Sequence, residues 1–208
     1  LGQEGMRFLF KTSYDQDIRL VKHSGQAFWY GVLLVALAGA PLVLPAYWSS
    51  QIIFVMIYGI VGLGLMLLSG FTGLFSIGHA AFLGVGAYTQ AVLTAKGVPF
   101  PIAIIGSMGL SALVGALVGL PALRVRGIYL AIATLAFSFI VQEALVRWEP
   151  VTGGNRGLAV GPINLFGWKT SSSVTLYYLC LTLTVLATLG ILNLMRSPTG
   201  RAFVAIRD

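Results

Sequence analysis

The sequence predicts an all-α polytopic membrane protein with about six membrane-spanning helical segments, one of them broken, followed by a short amphipathic helix. Three observations carry that reading. The chain is 57% hydrophobic and only 9% charged, whereas an ordinary soluble domain is roughly a quarter charged. Apolar runs of membrane-crossing length recur from residue 28 onward. The Lys and Arg residues fall between those runs, unevenly on alternate sides, as membrane topology requires.

Residues 1–27 are polar and carry Arg7, Lys11, Arg19 and Lys22. No short apolar core followed by small residues marks a cleavable leader, so this stretch is expected as a cytoplasmic amino-terminal segment. A helix rises about 1.5 Å per residue, and a hydrocarbon core of about 30 Å takes roughly 20 apolar residues to cross. Six runs qualify: residues 28–47, 51–69, 74–95, 101–123, 128–147 and 174–195. Helices are required because lipid offers no partner for unpaired backbone groups, and the runs lack the alternation of a membrane barrel.

Six crossings put both chain ends on one side. That side then holds nine of the Lys and Arg residues: the four near the start, Arg124, Arg126, Arg196, Arg201 and Arg207. Lys96, Arg147, Arg156 and Lys169 fall opposite. Positive charge accumulates inside, so both ends are expected in the cytoplasm and the permease domain at residues 28–195. Trp29, Tyr30, Tyr47, Trp48, Trp148 and Trp168 lie near span ends, where interfacial aromatics belong. The net charge of +7 is scattered rather than gathered on one face, so no nucleic-acid partner is expected. Cys180 is a lone cysteine in an apolar run, which excludes an internal disulfide.

Helices in lipid associate through small residues that let backbones approach. Ser107, Ser111, Gly115 and Gly119 form one such stripe, and Ala80, Gly84, Ala87, Ala91 and Ala95 form another. The stretch SGFTGLFSIGH, residues 69–79, is different. Gly70, Gly73 and Gly78 loosen the helix there, while Thr72, Ser76 and His79 offer hydrogen bonds. Non-helical backbone at membrane depth is tolerated where it lines a cavity, and broken helices commonly form transport sites. An ordinary turn between two spans is the alternative, with His79 as a cap or cross-link.

Glu143 and Arg147 stand in the acid-then-base order of a helical ion pair. The longest outer loop contains Thr152, Gly153, Gly154, Asn155 and Gly157, which predict a flexible turn able to meet a solute or a partner protein. In the tail at 196–208, Ser197 is expected as an N-cap with Pro198 in the first helical position. Ala202, Phe203 and Ile206 then share a face, with Arg201 and Arg207 more exposed. Such a helix is too short to cross and suits a lipid surface or a groove in a partner.

Four segments, GLFSIGHAAFLGVGAY (73–88), PALRVRGIYLAIATLAF (121–137), TGGNRGL (152–158) and SPTGRAFVAIRD (197–208), occur in order. Together they closely resemble the LivM-type inner-membrane permease subunits of branched-chain amino-acid ABC importers. The resemblance implies transport by alternating access in a bacterial inner membrane. It also implies four partners: a second homologous permease, two cytoplasmic ATPase subunits and a periplasmic substrate-binding protein. ATP and Mg belong to the ATPases, and no cofactor is expected on this chain, which has no G-x-x-x-x-G-K-[ST] loop.

The resemblance further implies that the tail is a coupling helix, with Ser197, Pro198, Gly200, Arg201, Phe203, Ile206 and Arg207 meeting an ATPase. The pathway is expected near Gly70, Thr72, Gly73, Ser76, Gly78 and His79. Family members continue through further spans, so the chain is expected to be incomplete after Asp208. Related importers carry urea, short amides or other neutral solutes, and the scarcity of charge within the spans fits those as well as a zwitterion. An intramembrane enzyme lacks raw material, since the histidines are His23 and His79 and no carboxylate pair has useful spacing. A passive channel is the remaining class, and it would need no coupling tail.

Overall fold

The apolar runs fold as helices, and glycine and proline set their limits. A computed structural model describes residues 24–122, 124–125, 127–161, 163–165, 168–170 and 173–207. Helix α1 spans Ser24–Val43, with Pro41 in its last turn, and α2 spans Ala46–Leu65 directly after Pro45. The same helix continues as a π-helical segment, Met66–Phe71. After a non-helical stretch come α3 (His79–Ala95), α4 (Phe100–Ala122) and α5 (Ile128–Arg147). A short helix α6 (Glu149–Thr152) and a 3₁₀ turn (Gly154–Arg156) precede a small hairpin of β1 (Ile163–Leu165) and β2 (Trp168–Thr170). The chain then runs into α7 (Ser173–Arg196) and α8 (Pro198–Arg207).

Among the described residues, four helices are long and apolar enough to cross a membrane: Ala46–Phe71, Phe100–Pro121, Ile128–Arg147 and Ser173–Arg196. The first expected run appears as the shorter apolar stretch Phe28–Val43. The third, expected from residue 74, becomes helical only at His79 and has 17 residues. The protein is thus a helical multi-pass membrane protein, and the loss at the third run comes from the break before it. Side chains such as Ile105 and Phe139, 70% and 61% exposed, point away from the fold where lipid or another membrane helix can cover them.

The helices pack as two groups. In the first, Ile53 and Met56 of α2 and Tyr177, Cys180 and Leu181 of α7 form a buried cluster, with Leu37 and Ala40 of α1 against it. The Tyr177 hydroxyl donates to the Leu37 carbonyl at 2.8 Å, and Tyr178 donates to Ala38 at 3.0 Å. These bonds tie the first helix to α7.

In the second group, α3 packs against α4 and α5 through small residues, as the stripes predict. Ser111 of α4 donates to the Phe82 carbonyl at 3.3 Å. A Cβ at Gly86 would lie 3.0 Å from Ser111 Oγ, and one at Gly84 3.5 Å from Leu145 Cδ1 of α5. The Gly86 side of α3 therefore meets α4, while the Gly84 side meets α5. The hairpin pairs Ile163 with Thr170 and Leu165 with Trp168, an antiparallel addition to an otherwise helical chain.

The broken segment and the cavity beside it

The break begins where the i→i+5 bonding of Met66–Phe71 takes up one extra residue per turn. Local hydrogen bonds then hold part of its backbone. Thr72 Oγ1 donates to the Leu68 carbonyl, Ser69 Oγ donates to the Leu74 carbonyl at 3.2 Å, and the Leu74 amide donates to Leu68 at 3.3 Å. Gly73 turns the chain at φ 69°, in the left-handed region that favours glycine. These bonds hold the backbone as it turns out of the helix.

The far end of the break is pinned to α5. The Ile77 amide donates to Thr134 Oγ1 at 3.1 Å, and that hydroxyl donates to Ala131 at 3.0 Å. Gly78 is buried against the same residue, and a Cβ there would come within 2.7 Å of the Thr134 carbonyl carbon. Only glycine permits this approach. His79 opens α3, its ring edge-on to Phe82 at 6.0 Å between centroids, and Phe82 in turn contacts Phe137 at 5.6 Å. Gly64 of α2 makes room for the imidazole, since a Cβ would lie 3.0 Å from Nε2. Nδ1 of His79 is buried and has no hydrogen-bond partner among the described residues.

These elements line an open-sided cavity of about 590 Å³. Gly64, Leu67, Leu68, Thr72, Leu74 and Ser76 form one wall; His79 and Phe82 of α3 form the second. The end of α4, with Gly115 and Gly119, and the start of α5, with Leu130 and Thr134, line the sides. Phe203 of α8 reaches the same space. The lining is mostly apolar, with the Thr72, Ser76, His79 and Thr134 side chains as its polar members.

Of the six residues singled out around the break, Thr72, Ser76 and His79 line the cavity. Gly73 and Gly78 shape its wall through backbone conformation and close approach, while Gly70 lies within the π segment. Gly64, Phe82 and Thr134 belong to the site and were not singled out. Thr134, a hydroxyl in the middle of an apolar run, was the signal available for it.

The glycine-rich turn expected on the outer side is organised around Thr152. Thr152 is 2% exposed, and its hydroxyl donates to the Leu145 and Trp148 carbonyls at 2.6 and 2.9 Å while accepting from the Gly154 amide at 3.2 Å. Gly153, Gly154 and Gly157 have φ of 72°, 56° and 67°, which tightens the chain around it. Asn155 and Arg156 stay exposed at the tip. Nearby, Arg147 Nε and Glu143 Oε1 form the expected ion pair on the open face of α5.

In the tail, Pro198 does take the first helical position. The Ser197 hydroxyl turns back to the Leu194 carbonyl of α7 at 2.6 Å and pairs with Thr199 Oγ1. Gly200 lies against the end of α7, where a Cβ would come within 2.6 Å of the Met195 carbonyl carbon. Ala202 is exposed and Phe203 half-buried in the cavity wall, so the two part company. Arg201, Ile206 and Arg207 are helical, and their side chains lie outside the described residues, as do residues 1–23, Arg126 and Asp208.

The family described as the branched-chain amino acid transport system / permease component matches residues 47–208. The chain belongs to that family. The matched region of this permease takes in the broken segment, the cavity and α8. Among curated proteins, it is 38% identical to the "High-affinity branched-chain amino acid transport system permease protein LivM" of Salmonella typhimurium, across 74% of the chain and 42% of that relative. It is 37% identical to the protein of the same description in Escherichia coli, with the same coverage. The permease chain thus spans 42% of the length of the curated relatives it matches. No solved structure matches it.

Proposed function

We propose that the protein is a permease subunit of an ATP-driven ABC importer that moves branched-chain or other hydrophobic amino acids across the bacterial inner membrane by alternating access. The observation that carries this reading is the cavity beside the broken helix. It collects Thr72, Ser76 and His79 of the break together with Phe203 of the tail helix. A transport component needs a wet or solute-sized space at a helix break, and a driven one needs that space to be in contact with an element the motor can move.

In this reading a second homologous permease completes the pathway, a periplasmic binding protein delivers the solute to the outer turns, and two cytoplasmic ATPases act on α8. Both described ends face the cytoplasm. ATP and Mg stay on the ATPases, and a coupling partner shifts the permease only by binding its two states unequally. The cavity lining favours an apolar side chain over urea or a short amide, because Leu67, Leu68, Leu74, Phe82 and Leu130 offer no hydrogen bonds. His79, Ser76 and Thr72 remain for the polar end of the solute.

The test is reconstitution of the full-length protein with its sister permease, ATPases and binding protein in lipid vesicles. ATP-dependent accumulation of labelled leucine, with urea failing to compete, is expected. Accumulation of urea in place of leucine would change the cargo, and flux of either without ATPases would make the chain a channel.

A further inference from the structure

Helix α8 does more than rest on the surface. Its Phe203 enters the wall of the cavity formed by the π-helical segment and the residues after it. The helix is fixed at its start, where Ser197 bonds to Leu194 and Gly200 fits against Met195. Beyond that start, α8 contacts the π-helical segment Met66–Phe71. A π-helical turn carries one residue more than an α-helical turn, so it can shed that residue's worth of winding with little rearrangement elsewhere. Interfaces of this kind are bistable rather than continuously deformable.

We propose that Phe203 is a positioning residue that passes displacement of α8 to the segment Met66–Phe71 and thereby resets the cavity wall at Leu68 and Thr72. The inference rests on the transport reading above. Among the described side chains of α8, Phe203 is the one that reaches the cavity, so removing its ring uncouples the tail from the break while leaving α8 anchored through Ser197 and Gly200. A leucine at 203 fills part of the same space and restores part of the coupling.

The experiment uses the complete, vesicle-reconstituted transporter. Leucine taken up per ATP hydrolysed is expected to fall at least about tenfold in Phe203→Ala, a change of about 1.4 kcal/mol in coupling, and to recover in part in Phe203→Leu. A ratio in Phe203→Ala within twofold of the unaltered transporter overturns the link. A purely structural role would instead lower the yield of assembled complex and leave that ratio intact. Spin labels on Met66→Cys and Ala202→Cys, both exposed and leaving Phe203 in place, give a second readout. Their separation is expected to differ between nucleotide-free and ATP-trapped states, and an unchanged separation overturns the link even if Phe203→Ala fails to assemble. An unaltered transporter that accumulates no leucine sinks the transport reading and the link together, whereas normal uptake with an unaffected Phe203→Ala sinks the link alone.

Discussion

Two glycines at the break do different work. Gly78 is held against Thr134 with no room for a methyl group, while at Gly70 the nearest side-chain atom to an added Cβ is Met66 Cγ at 3.6 Å. Gly78→Ala should cost about 1–3 kcal/mol through overpacking. Gly70→Ala should shift stability by less than about 1 kcal/mol. Thermal unfolding in detergent would compare them, and equal losses would contradict the Thr134 contact. At the turn after α5, Thr152→Val strips the acceptor from the buried Gly154 amide and should cost about 1–3 kcal/mol, read as faster proteolysis near Asn155. The sequence already marked Gly78 and Thr152 as belonging to turns. It did not show that each answers to a partner far away or across a turn, because glycine chemistry announces freedom and not the neighbour that demands it.

At the scale of elements, the π-helical segment decides where the break points its side chains. Deleting Gly70 should return Met66–Phe71 to α-helical winding with little rotation beyond it, and remove the extra residue whose winding the segment can shed. The expected outcome is a folded permease with uptake severely reduced; wild-type uptake would show that the extra residue is immaterial. The break itself was legible from Gly70, Gly73, Ser76 and His79 clustered in an apolar chain. The π geometry was not, since MLLSGF has no residue that prefers i→i+5 bonding. The hairpin was missed for a similar reason. Ile163, Leu165 and Trp168 alternate with polar neighbours over too few residues for the period to stand out. Gly84 and Ser111 did disclose the close packing of α3, α4 and α5, because small residues at helical spacing are the physical means of that approach.

For the whole molecule, the spans follow from composition and length, while their orientation rests on the bias of Lys and Arg. Arg124 and Arg156 are exposed on connections expected on opposite sides. A membrane-impermeant thiol reagent applied to intact spheroplasts should label Arg156→Cys directly and Arg124→Cys only after permeabilisation. The reverse pattern would invert the topology and put α8 out of reach of the proposed cytoplasmic ATPases. The native Cys180 is buried and should contribute little background. What composition could not disclose is that residues 69–79 and the tail, more than a hundred positions apart, share one cavity. That proximity arises from α2 packing on α7, and no local pattern records it.

The hydroxyls of Tyr177 and Tyr178 bond to Leu37 and Ala38, so α1 is held to a partner 140 positions later. Each such bond within a bilayer contributes only ~0.6 kcal/mol, but they act beside the Ile53, Met56 and Leu181 contacts. A single peptide cleavage between α6 and α7 would then leave two fragments that still travel as one particle through purification. Continuity of the polypeptide there serves assembly order more than cohesion.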